Sequence, residues 1–406
     1  MVKLMGKDRS PKSVLIITTF SHLMQHIYVG SSILLPLIIE DLRLSYTEFG
    51  LVMALSSLIG GLSQIFFSIA SRRIARHILL GLGNIMLSLG TFLTGLSNKL
   101  MDFLSARIIS NLGVAPQHPM GTAIISEKFD EKSLGAAIGF HYGLAYIGNI
   151  VGPVLMTILS LIVGWRSTLF IFSIPALAVG LIVIWYLGGG KKTQESMMKK
   201  SAKRTSLKDD VVVLMKTRGV LQVLLAQALL SGGLDIGTLT TYTPIFLASF
   251  LDMGTYERGM VYTVGLLGGV IGPILLGRFA GRTGYIRTAA TSTFISSILI
   301  YLLIFHKPGV GSILPALHLF AIMFVSFSLP TLLQSYLVKV TSGYNRDLAV
   351  GIFFTMGFIF NSIWVGVIGG LIDAYASFNP AIAIMGTLGL MALMVLASHL
   401  MKKTIE

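Results

Sequence analysis

The chain has 406 residues, 54% of them hydrophobic and only 12% charged, with 44 glycines, no cysteine and a formal charge of +14. Soluble domains carry about 25% charged residues, so this composition excludes an ordinary soluble globular protein. The lack of cysteine excludes disulfides and thiol chemistry. Nucleic acid is a poor account of the positive charge, because the basic residues gather between alternate apolar segments rather than on one face.

Apolar periodicity predicts twelve helices, over 13–39, 46–70, 77–97, 100–124, 133–162, 166–188, 219–250, 258–281, 286–305, 311–338, 347–373 and 379–401. Each is long enough to cross a bilayer, which takes roughly 20 residues at 1.5 Å each. The first lacks a small-residue cleavage site and is too long for a signal-peptide core, so it reads as a retained helix. Short links join most of them. The exception opens at Gly188-Gly189-Gly190 and divides the chain into a six-helix bundle (1–188), a basic linker (189–218) and a second six-helix bundle (219–406).

Lys3, Lys7, Arg9 and Lys12 precede the first helix, Arg72, Arg73 and Arg76 follow the second, and Arg282 and Arg287 follow the eighth. The linker is basic as well. The opposite connections hold only Arg43, Lys99, Arg166, Arg258 and Lys307. The positive-inside rule then places both termini and the linker in the cytoplasm, with the chain in the plasma membrane. An even number of crossings requires both ends on one side.

The halves repeat each other. A shift of 211 residues brings Pro119 onto Pro330 and Arg107 onto His318, and a shift of 212 brings Gly139 onto Gly351 and Asn149 onto Asn361. The Arg72 region falls on the Arg282 region at 210, and Pro36 on Pro244 at 208. The expectation is an all-α membrane protein of two bundles related by pseudo-two-fold symmetry. Secondary transporters of this size are built in this way, with substrate at the midplane between the halves.

An ionisable group at the centre of a membrane helix costs roughly 2.5–3.5 kcal/mol on insertion scales, so each marks a candidate site. His22 and His26 are four residues apart and share a helix face, with Gln25 and Tyr28 near them. They lie about 13 and 19 Å along the first helix, bracketing the midplane of a core about 30 Å thick. The pair is either a proton and substrate site or two neutral rings bonded to neighbouring helices. Arg107 cannot lose its proton and needs an anion, backbone carbonyls or water, unless it snorkels to the surface. Asp235 is the one carboxylate well inside a predicted helix. With Arg107, His22 and His26 it forms the candidate proton-coupling set. Gln25, Gln117, His118, His141, Tyr146, Asn149, Tyr242, His318, Gln334 and Asn361 are the candidate substrate contacts. His141 and Tyr142 are adjacent, so at most one of them is expected to face the interior.

Three motifs bear on a family. Gly277-Arg-Phe-Ala-Gly281-Arg282-Thr-Gly284-Tyr-Ile-Arg287 and its first-half copy ending in Ser71-Arg72-Arg73-Ile-Ala-Arg76 resemble the loop signature of the major facilitator superfamily, with Gly281 and Ser71 in place of its aspartate. Gly148-Asn-Ile-Val-Gly152-Pro153 resembles the motif of drug/proton exchangers. Ser21-His22-Leu23, Gly113 with His118-Pro119, and Gly351-Ile-Phe-Phe are similar to fosmidomycin-resistance-like efflux proteins, although His26 stands where those carry a carboxylate.

The resemblance implies the major facilitator fold and alternating access, with efflux of a small organic solute by proton antiport. Import of an organic anion with protons, or a non-transporting receptor on the same scaffold, are the alternatives. The expected partners are a small-molecule substrate, protons and the lipid bilayer, with no nucleic acid, and a single copy suffices. No phosphate-binding loop, His-Glu-x-x-His site or nucleophile elbow occurs, so no enzyme, metal or cofactor is expected.

Overall fold

The computed structural model describes residues 9–71, 73–129, 131–188, 207–309, 311–341 and 343–404. Arg72 and most of the basic linker therefore lie outside the described residues. The helices are α1 (Pro11–Val29), α2 (Leu35–Asp41), α3 (Tyr46–Ala70), α4 (Arg76–Leu96), α5 (Leu100–Val114), α6 (Gln117–Ser126), α7 (Glu131–Ala145), α8 (Gly148–Leu187) and α9 (Leu207–Lys216). They continue as α10 (Val220–Leu230), α11 (Ile236–Ser249), α12 (Thr255–Thr283), α13 (Tyr285–Leu302), α14 (Ile313–Ser326), α15 (Ser328–Val340), α16 (Gly343–Tyr375) and α17 (Asn379–Thr404).

Among the described residues, nine helical segments are long and apolar enough to cross a membrane. One of them, Phe140–Leu187, has 48 residues and holds two crossings. They meet at Gly164, whose φ of +78° reverses the chain. The predicted fourth and seventh helices fall below that length because each is broken, at Ala115–Pro116 and at Ser231–Asp235. Counting the double segment twice and adding the two broken helices restores the twelve crossings. Outward-facing Phe66, Ile162 and Ile174 are exposed, as lipid contact requires.

The chain forms two compact units. One holds residues 1–34 and 55–204, the other 35–54 and 205–406. In the first unit, α4 packs along α8 and α5, and α1 along α8, α7 and α6. No hydrophobic force drives helices together in lipid, so small residues set these contacts. A Cβ on Gly113 would fall 2.3 Å from the Leu87 backbone nitrogen, so only glycine lets α5 lie on α4 there. In the second unit, α13 and α10 pack on α17, and α12 on α14. The short segment 35–54 belongs to this unit. The Asp373 carboxylate at the end of α16 accepts from the Tyr46 and Thr47 amides at 3.0 and 2.6 Å, satisfying free N–H groups at the start of α3.

Candidate functional site

Thr19, His22 and His26 recur at intervals of three and four on α1 and therefore share one face. That face meets α7 and α8 in the first unit. His141 Nδ1 lies 3.2 Å from Thr19 Oγ1, and His141 Nε2 lies 3.0 Å from His22 Nδ1. His22 Nε2 lies 3.2 Å from His26 Nε2, and His26 Nδ1 lies 2.9 Å from Asn149 Oδ1. Three imidazoles thus stand in one unbroken chain of hydrogen bonds between a threonine and an asparagine. His22 and His141 are each 1% exposed, so water does not substitute for these partners.

Glycine brings the two helices close enough for this. A Cβ on Gly148 would meet the His26 Cβ and the Leu23 carbonyl at 2.8 Å, and one on Gly152 would meet the Ile27 carbonyl at 2.7 Å. Pro153 packs beside Gly30, where α1 tightens into a 3-10 turn over Gly30–Leu34. The Gly148–Gly152-Pro153 motif therefore seats α8 against the histidine face of α1.

Aromatic rings enclose the chain. His118 and Tyr142 meet His22 edge-on at 5.2 and 5.1 Å, and Tyr146 meets His26 at 4.9 Å. The expectation that only one of His141 and Tyr142 faces inward is overturned. Adjacent residues on a helix point about 100° apart, and the His22 ring is wide enough to touch both, at 4.7 and 5.1 Å. Thr19 joins this set although its one signal in the sequence is its position three residues before His22.

A second polar group lies beside this one. Ser21 donates to Gln117 at 2.6 Å and accepts from Asn84 at 2.6 Å. The Arg107 guanidinium lies 5.1 Å from the Tyr28 ring centre, within cation–π range. Its Nε is buried without a partner, as are Gln25 Oε1, Tyr28 OH and Gln117 Nε2. Among the described residues no carboxylate pairs with Arg107.

The second unit distributes its candidates differently. Asp235 does not sit within a continuous helix but caps α11, accepting from the Gly237 amide at 3.1 Å. Ser231-Gly232-Gly233 weakens the helix before it, and a carboxylate satisfies the first free amides after the break. Asn361 donates to Thr238 at 2.9 Å and to the Ser231 carbonyl at 3.3 Å, holding the two sides of that break together. Tyr242 is 2% exposed and its hydroxyl donates to the Val365 carbonyl at 2.5 Å. His318 bonds to His306 at 2.6 Å and to the Leu299 carbonyl at 2.8 Å, so it is engaged at the α13–α14 connection. Gln334 lies half-buried on α15.

Of the loop-motif residues, Arg73, Arg282 and Arg287 are exposed, and Arg76 pairs with Glu127. A Cβ on Gly277 would meet nothing within 4 Å, whereas Gly284, with φ of +97°, forms the turn between α12 and α13. Among the described residues no group of three or more His, Asp or Glu is arranged to hold a metal ion.

The fold is thus all-helical with twelve crossings, and each unit holds a group of buried, hydrogen-bonded polar side chains. The sequence pattern of the Major Facilitator Superfamily matches residues 15–365, and the chain belongs to that superfamily. The chain is 32% identical over 148 residues to a probable L-galactonate transporter of Escherichia coli, covering 36% of this chain and 32% of that one. It is 30% identical over 153 residues to the riboflavin transporter RibZ of Clostridioides difficile, covering 38% and 32%. These matches span about a third of each relative's length. A crystal structure of a variant of the nucleoside transporter NupG superposes with a TM-score of 0.79 over 95% of this chain and 99% of that one, at 14% identity, a likeness of fold.

Proposed function

We propose that this protein carries a small organic anion across the plasma membrane together with protons, by alternating access of its two six-helix halves. Both termini and the 189–218 linker lie in the cytoplasm, and one copy of the chain suffices. Arg107 carries this reading. Its charge is permanent, and no described carboxylate neutralises it. Gln25 Oε1, Tyr28 OH and Gln117 Nε2 in the same unit are likewise buried without partners. An anionic substrate supplies the missing countercharge, and Gln25 and Gln117 supply uncharged contacts. L-galactonate, named for one relative, is a carboxylate. His22 and His26 carry the coupling proton, and Asp235 biases the second unit.

Efflux by proton antiport is the second reading. The Gly148–Gly152-Pro153 seat of α8 on α1 favours it, because that motif resembles those of exchangers, as does the likeness of Ser21-His22-Leu23 to fosmidomycin-resistance-like proteins.

Purified protein in liposomes with an imposed pH gradient decides between them, scored over organic anions, neutral solutes and cations. The expected result is uptake of an anion toward the alkaline side. Accumulation of a solute toward the acidic side supports antiport instead. Arg107→Gln is expected to abolish anion flux, and normal flux in Arg107→Lys would return Arg107 to a snorkelling role. Asp235→Asn keeps a good helix cap, so it is expected to fold normally and lose pH-driven flux.

A further inference from the structure

The chain Thr19–His141–His22–His26–Asn149 has a proton count that follows from which way its two end groups point. Thr19 donates its hydroxyl hydrogen to the Leu15 carbonyl at 2.7 Å, so its oxygen accepts from His141. Asn149 presents Oδ1, which also only accepts, to His26. With acceptors at both ends, the four contacts need four N–H hydrogens. Three neutral imidazoles carry three. With both end groups accepting, the array holds one proton more than three neutral rings; with the Thr19 hydroxyl turned to His141, three neutral rings suffice.

We propose that His141, His22 and His26 form a one-proton relay, and that Thr19 and Asn149 are its two gates. This rests on the proton-coupled reading above and extends it to His141, which then serves the proton rather than the substrate. Loading takes one proton from water. Discharge returns one proton to water, directly at the half-buried His26–Asn149 end, or at the Thr19 end once that end opens to water, since Thr19 and His141 are each 1% exposed here. If it leaves from His26 Nδ1, the Asn149 amide turns and donates its NH2 to the vacated nitrogen, and every remaining hydrogen points toward Thr19. If it leaves from His141 Nδ1, the Thr19 hydroxyl turns from Leu15 to His141, and every hydrogen points toward Asn149. Each discharged state is fully hydrogen-bonded with three neutral rings, so neither leaves a buried donor or acceptor orphaned. The two exits are separated by seven residues of α1, about 10 Å along the helix. A proton taken in at one end can leave at the other without any ring crossing the membrane.

The groups facing the array are His118 from α6, and Tyr142 and Tyr146 from α7 and the turn after it. None is hydrogen-bonded into it, and among the described residues no carboxylate is. Thr19 and Asn149 are therefore the side chains that terminate the hydrogen-bond chain, with His118 the nearest outside imidazole.

The test is nitrogen-15 NMR of histidine-labelled, full-length protein in lipid vesicles, titrated with acid, with signals assigned by single His→Asn replacements. In the wild type, one imidazolium shared by the three rings is expected before any second proton binds. Asn149→Asp fixes a permanent acceptor at the His26 end and is expected to raise the imidazolium signal at a fixed mid-range pH by about tenfold. Thr19→Val removes the acceptor at the other end and is expected to deplete that signal by a similar factor, while Thr19→Ser restores it. A structural role for these residues would not move the signal in opposite directions. Three rings that titrate independently, or two variants that match the wild type, would overturn the relay. Because the measurement needs no substrate, a one-proton array in a protein without pH-driven flux would leave the relay standing and remove the transport reading.

Discussion

The two units carry the same framework around different contents. A shift of 212 residues, four more than the one that pairs Pro36 with Pro244 further along the same helices, maps Thr19 onto Ser231, His26 onto Thr238 and Asn149 onto Asn361. In both units the asparagine hydrogen-bonds to the first helix, to His26 in one and to Thr238 in the other. The same shift maps His22 onto Leu234 and His141 onto Phe353, which are 1% and 0% exposed. With the imidazoles gone, the polar ends close on each other. Thr238 donates to the Ser231 carbonyl at 3.0 Å across the helix break, and Asp235 caps α11 beyond it. One arrangement holds an array of three imidazoles on an intact helix, and its copy holds a broken helix whose one acidic group is the capping carboxylate of Asp235. The asparagine is thus a shared structural device, and the histidines are what the first unit adds to it, the groups that would carry the proton in the proposed relay.

The most severe way to break this asymmetry is to write the second pattern into the first. The double variant His22→Leu, His141→Phe copies Leu234 and Phe353, so apolar packing of that kind is already accommodated at the matching site. It is expected to lower pH-gradient-driven flux by about a hundredfold or more, the scale of losing positioned proton-transfer groups, while the protein still purifies as a folded monodisperse species. Flux within a fewfold of the wild type would show that the array is a structural motif only.

A second contrast lies in the glycines. Gly148→Ala forces α8 off the His26 side of α1, since the new Cβ would meet its neighbours at 2.8 Å. Overpacking of this kind costs about 1–3 kcal/mol and lengthens the Asn149–His26 bond. Gly277→Ala, where nothing lies within 4 Å, is expected to leave the melting temperature within a degree or two of the wild type, since alanine also favours the helix. Equal melting temperatures for the two variants would mean that the α1–α8 contact is looser than its spacing indicates.

The sequence carried much of this framework and little of its wiring. The twelve apolar segments follow from hydropathy and length, and the shared face of His22 and His26 follows from their spacing. His141 is a different matter. Its bond to His22 joins residues 119 apart, and helix periodicity says nothing about which face of α7 turns toward α1. Tyr242 was legible as a buried polar residue but not as one committed to the Val365 carbonyl, because that partner is a backbone atom and leaves no trace in side-chain identity. The break at Ser231–Asp235 had a local signal in Gly232-Gly233. That signal competes with an apolar run long enough for one continuous helix. Asp235 consequently moved from mid-helix to a cap, where its carboxylate has a structural task beside any role in coupling.

Asn361 provides the gentlest test of the comparison. Its amide bridges Thr238 and the Ser231 carbonyl, and its side chain lies over Gly237, where a Cβ would come within 2.7 Å of Oδ1. Thr238 keeps its own bond to Ser231 when the amide is removed, so no donor is stranded. Asn361→Leu is therefore expected to cost only about 1 kcal/mol, the net value of ordinary hydrogen bonds, read as a small drop in thermal stability in detergent. Asn149→Leu takes the acceptor from an array that needs it to stay charged, and its flux is expected to lose pH dependence with a comparable change in stability. If both leucine variants kept the wild-type pH profile, the asparagines would be equivalent braces. A changed profile in Asn149→Leu alone would place the proton in the first unit.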